Sequence, residues 1–122
     1  MQAKHLLRGG SAVALALVAG LASCVDTDNR PKTLEYITET ILKPSCGTVN
    51  CHSSLGYTKD YAFDSVAAAR ATFNNNTGLL FEDYLLKRMR RTEGEAMPPN
   101  DIMADEDIRL IEDWINAGTP GL

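Results

Sequence analysis

The chain has no apolar run long enough to cross a membrane as a helix. Its longest stretch of small and apolar residues, Ala12 to Ala22, covers eleven positions, against the roughly 20 that a spanning helix needs. It also has no excess of basic charge. Twelve Lys and Arg stand against 16 Asp and Glu, a formal charge of −4, and an acidic chain of this size has no electrostatic footprint for nucleic acid. No segment shows the alternation of a half-buried strand, and no internal repeat is visible, which leaves helix as the element to look for. Only two histidines and three cysteines are present. No Cys-x-x-Cys pair opens a helix in a βαβ pattern, which removes thiol redox catalysis of that kind. No general base or nucleophile stands out, so the chain is not expected to be an enzyme.

What is present begins with Lys4 and Arg8, a short basic segment, followed by the eleven-residue apolar run. That combination is a secretory signal. A buried N-terminal helix fits less well, because the run has no polar face and no partner run of similar strength. The run ends in "LASC", Leu21 to Cys24, which resembles a bacterial lipobox. The resemblance implies cleavage before Cys24 and a diacylglycerol on its sulfur, the two-chain attachment that holds stably to a bilayer. The alternative, an ordinary cut nearby, leaves Cys24 as an odd free thiol in an oxidising compartment. Residues 1–23 are then a lipoprotein signal peptide, 24–32 a lipidated tether with the polar sequence "VDTDNRPK", and 33–122 a folded domain. Removing 23 residues from 122 leaves 99, and losing Lys4 and Arg8 moves the formal charge to −6. A domain this small gains stability from any cofactor that fills its core. The product is exported and anchored, facing the periplasm or the cell surface. Val25 stands where enteric-type sorting places an aspartate for inner-membrane retention, which favours the outer membrane.

The domain reads as all-α. Thr33 is a candidate N-cap with Glu35 in the first turn. Leu34, Ile37 and Ile41 form one helical stripe, and Pro44 is expected to end that helix. Asp64 is a candidate N-cap for a helix over Ser65 to Phe73, which the cluster "NNNTG" at Asn74 to Gly78 stops. A third helix is expected over Leu80 to Arg91, with Leu80, Tyr84, Leu85 and Met89 as its apolar stripe. A last helix follows Ala104. Its first turn carries Asp105, Glu106 and Asp107, its buried face Ile108, Ile111 and Ile115 with Trp114 beside them, and its end Gly118 at C′ and Pro120.

Between the first two helices lies "CGTVNCH", Cys46 to His52. With two fewer residues between the cysteines it would be the Cys-x-x-Cys-His signature of covalent haem attachment. In that chemistry two thiols add to the vinyl groups on the porphyrin, and the histidine must reach the iron from one face. Placing His52 directly after Cys51 meets the strict requirement. The gap to Cys46 only has to let the loop close, at modest extra loop entropy. Other chemistries compete for the same residues. A Cys46–Cys51 disulfide suits an oxidising compartment but leaves His52 and Met97 unexplained. A haemless domain would also draw its core from leucine and isoleucine alone. Zinc would have Cys46, Cys51 and His52, but His52 is the one histidine left once His5 goes with the signal, and structural zinc prefers four Cys or His.

Three segments together, "ILKPSCGTVNCHSS" at 41–54, "AMPPND" at 96–101 and "DEDIRLIEDWINAGTP" at 105–120, resemble class I-like c-type cytochrome domains of secreted and periplasmic bacterial proteins. The variant four-residue gap is similar to that in some multihaem cytochromes. The resemblance runs from about Leu34 to Pro120. It implies a small cytochrome c-like domain of about four helices wrapped around one haem c, a covalent iron cofactor. By the same resemblance Cys46 and Cys51 are the thioether positions, His52 the proximal iron ligand and Met97 the distal one. The last helix would then pack across the first, and the chain would carry electrons between redox partner proteins. Met89 and Met103 compete with Met97 as ligands. Met89 falls on the apolar stripe, whereas two prolines stiffen the loop behind Met97. The basic cluster "LKRMRR", Leu86 to Arg91, is either a solvated helix face, or Arg88 or Arg91 pairs with haem propionates, or the cluster docks an acidic redox partner. The alternative function is a haemless cytochrome-like lipoprotein with a Cys46–Cys51 disulfide, serving as a structural or interaction module.

Overall fold

Thr33 opens the first helix as its sequence predicts. Its backbone is extended and its hydroxyl accepts from the Tyr36 N–H at 3.3 Å, satisfying one of the donors that a helix start leaves bare. In the structure, a computed structural model that describes residues 28–56 and 60–122, this helix has three parts. They are α1 (Leu34–Ile37), a π-helical turn (Thr38–Leu42) and α2 (Lys43–Ser45). Pro44 does not end it. The π-helical turn shifts the hydrogen-bond register, with the Lys43 N–H reaching Thr38 O. The helix carries the proline, which has no N–H to donate, and stops two residues later than expected, at Cys46.

The remaining elements are α3 (Val66–Asn75), α4 (Gly78–Phe81), α5 (Tyr84–Met89) and α6 (Asp105–Asn116). Two differ from expectation. Ser65, not Asp64, caps α3, its hydroxyl accepting from the Ala68 N–H. The expected third helix is two, because Asp83 adopts a left-handed conformation (φ 56°) between α4 and α5, a backbone state that Asp tolerates better than most residues. The described residues are all-α, without a strand, in five helical stretches rather than about four.

The core gathers one face from each. Leu34, Ile37, Ile41 and Leu42 of the first helix meet Phe73 of α3, Leu80 of α4, Leu85, Leu86 and Met89 of α5, and Ile108, Leu110, Ile111 and Trp114 of α6. α1 packs against both α3 and α6, and α5 against α6. Of the expected α4–α5 stripe, Tyr84 stays 44% exposed, while Leu86 takes an inward position that the stripe did not include. Ile115 is half-buried. Beyond α6 the chain turns back, and Pro120 O accepts from both the Leu34 N–H and the Trp114 indole N–H, each at 3.0 Å. Asp28 to Lys32, the described part of the expected tether, lie along α6 through Arg30–Asp107 and Lys32–Asp113 ion pairs. The expected signal peptide, Cys24 and the start of the expected tether lie outside the described residues. Among the described residues no helix is long and apolar enough to cross a membrane.

Candidate functional site

α2 delivers the chain to Cys46, and the following loop closes on itself. The Cys51 N–H bonds Thr48 O at 2.9 Å, and the His52 N–H bonds Cys46 O at 2.9 Å. The four intervening residues therefore form a bulge whose ends are joined by a backbone hydrogen bond. The loop is then fastened to the segment before α3. His52 O accepts from the Phe63 N–H at 2.8 Å, and the Asp64 carboxylate accepts from both the backbone N–H and the hydroxyl of Ser54 at 2.9 Å. Those bonds hold the Asp64 carboxyl below its ordinary pKa, and this role explains why the cap passes to Ser65. Gly47 permits the approach. A β-carbon there would lie 2.6 Å from Phe63 O and 2.8 Å from Asp64 N, and backbone atoms cannot swing aside.

His52 is thus held by its own backbone N–H and carbonyl. Its ring lies 5.7 Å from the Tyr61 ring and 5.9 Å, edge-on, from Phe63. Phe63 continues a chain of aromatic contacts to Phe73 and on to Trp114, at 5.5 and 5.7 Å. The site's wall is therefore continuous with the core. From sequence alone Tyr61 and Phe63 fit either the edge of a haem or the core. Their spacing of two, which puts both side chains on one side of an extended segment, was the available signal.

On the far side, α5 leads into the loop that carries Met97. The Met97 N–H donates to Arg88 O at 3.1 Å, and the Met97–Pro98 bond is cis. Between the two halves lies a cavity of about 320 Å³, at the small end of the usual range for ligand pockets. Cys46, His52 and Met97 all line it. So does Met89, which the helical stripe alone assigned to packing. It is both 3% exposed and a wall of the cavity. Tyr61, Phe63, Leu79 and Leu85 supply apolar wall, and Arg88 and Glu95 are its two charged liners. Cys51 is half-buried and does not line the cavity, and Met103 is buried elsewhere in the core.

Both thiols of the loop are free. Burial, with the neighbouring Cys51 charge adding to it, pushes the Cys46 thiol up to about 11. Cys46 is therefore neutral at physiological pH and packs as a small apolar group. Among the described residues no group of three His, Cys, Asp or Glu side chains is placed to hold a metal ion, the arrangement a zinc site requires. The cavity's possible ligand groups are instead one imidazole, two thioethers, one thiol, the Glu95 carboxylate and the Tyr61 and Tyr84 hydroxyls, on otherwise apolar walls. An imidazole and a thioether are the axial ligand types of c-type haem, and that pair is among the cavity's liners.

Each basic side chain of the cluster has a partner within the domain. Lys87 pairs with Glu93 and Arg90 with Glu112. Arg88 donates to Glu95 O and Arg91 to Pro98 O and Asp101 O. Searches of family models, curated proteins and solved structures find no match to this chain.

Proposed function

We propose that the chain is a single-haem c-type cytochrome, anchored through lipidated Cys24, that carries electrons between redox partners and is not itself an enzyme. One observation carries this reading: His52 and Met97, from loops 45 positions apart in sequence, line the same apolar cavity, with Cys46 at its wall. His52 and Met97 would ligate the iron, and Cys46 and Cys51 would hold the porphyrin through thioethers. A His/Met-ligated haem c supplies reversible one-electron transfer at a raised potential. The chain's own contribution would be to hold the His52 backbone through the Cys46 and Phe63 bonds, with Tyr61 and Phe63 against its ring, and to line the pocket with aromatic and aliphatic walls. The test is to express residues 24–122 together with a haem-attachment system. The expected result is a Soret band and a mass increase of one haem, with the thioether–iron absorption in the red lost in Met97→Ala. A chain without a Soret band, and with Cys46 bonded to Cys51, would overturn the proposal.

A second reading, a haemless structural or interaction module, draws on the core. Besides leucine and isoleucine it buries Phe63, Phe73, Met89 and Trp114, so its packing does not depend on a cofactor to the degree that composition implied. The same expression experiment separates the two readings.

A further inference from the structure

Arg91 ends α5's run of basic residues in a left-handed conformation (φ 57°), the point at which the chain turns into the Met97 loop. Its guanidinium reaches forward over that loop. One nitrogen donates to Pro98 O at 3.0 Å and also to Asp101 O. From the other side, Arg88 donates through its guanidinium to Glu95 O at 3.2 Å and accepts the Met97 N–H on its carbonyl at 3.1 Å. Positions 95, 97, 98 and 101 are therefore all tied to two arginines three positions apart, one in α5 and one just past its end. The loop has no helix or strand to satisfy its carbonyls, so these bonds replace the ladder it lacks.

We infer that Arg91, supported by Arg88, is a positioning residue for Met97. It clamps the loop to the end of α5 and thereby decides how long the Met97 thioether stays at the cavity. The clamp itself is a property of the bare chain. Its consequence for iron ligation rests on the haem reading above. Both bonds come from one guanidinium nitrogen, and arginine differs from lysine here in that its planar, pre-organised group loses less side-chain freedom per hydrogen bond formed than a flexible ammonium does.

The first measurement is hydrogen exchange on the haem-free chain. In Arg91→Ala the Met97 amide, whose acceptor is Arg88 O, should exchange about fivefold or more faster, the loss expected for one or two exposed hydrogen bonds. The Ile111 amide in α6 should keep its rate, and Arg91→Lys should restore only part of the protection. Equal Met97 rates in the parent and Arg91→Ala would overturn the clamp, as would a parallel rise at Ile111, which would mark general destabilisation. The second measurement is on haem-loaded protein, where added imidazole displaces Met97 from iron. Arg91→Ala should bind imidazole about fivefold or more tightly, with haem attachment unchanged. An unchanged imidazole affinity alongside faster exchange would overturn the consequence for ligation. Failure of the parent chain to take up haem would overturn the haem reading, while the exchange result still decides the clamp.

Discussion

Cys46 combines two properties that pull apart as pH rises. It is 8% exposed, and burial pushes its thiol up from an ordinary value near 9 to about 11. Below about pH 9 the thiol is neutral in the folded and unfolded chain alike, and it adds no pH dependence. Between about 9 and 11 the unfolded chain has released the proton and the folded chain has not. Unfolding then becomes easier by about 1.4 kcal/mol per pH unit from this group. Tyrosines and lysines titrate nearby, so the contrast between variants is what matters. Urea unfolding of the haem-free chain at pH 8 and pH 10 should show the parent losing about 1 kcal/mol more than Cys46→Ala. Equal losses would mean that burial does not suppress this thiolate. The adjacency of Cys51 and His52, and the proline pair behind Met97, were plain in the sequence, but Met89 was not. A stripe position states that a side chain faces inward, and it cannot distinguish a packed interior from the wall of a cavity.

The helices were largely legible because their ends carry local chemistry. α6 shows this best. Three acids occupy its first turn, and its end closes with the Gly118 N–H on Ile115 O and the Thr119 N–H on Trp114 O, both at 3.0 Å. That is the double bond of a Schellman cap. Gly118 has φ 85° and no atom within 4 Å of where a β-carbon would stand, so a side chain there meets backbone strain and no clash. Gly118→Ala should therefore cost about 1 kcal/mol in chemical denaturation, and a neutral result would show that the cap tolerates a β-carbon. Where reading failed, a second partner had entered. Pro44 was expected to stop the first helix, and a π-helical turn carries the helix past it. Asp64 was expected to cap α3, and Ser54 claims it instead.

Across the molecule Trp114 joins the parts. It is fully buried, lies 5.7 Å from Phe73, and donates to Pro120 O, which also receives the Leu34 N–H. The start of α1, the face of α3 and the end of α6 are thereby held around one indole. Trp114→Phe keeps most of the ring and removes the donor, and should cost about 1–2 kcal/mol. Trp114→Ala should cost about 3–5 kcal/mol. Denaturation followed by circular dichroism reads both. Similar small losses in the two variants would show that Trp114 does not hold these elements together.

The spacing of apolar residues, the caps and the Cys51–His52 pair are set by neighbours within a turn or two of chain. For that reason the all-α class, the buried face of α6 and the candidate haem ligands could be named from sequence. Which of those ligands share a cavity depends on contacts between residues tens of positions apart. Packing alone put Met89 in the lining of the same cavity as Met97, left Cys51 outside the wall, and turned Arg88 and Arg91 from an apparent basic patch into the ties of a loop. Periodicity records that a residue is turned inward, and only the folded chain specifies what it meets there.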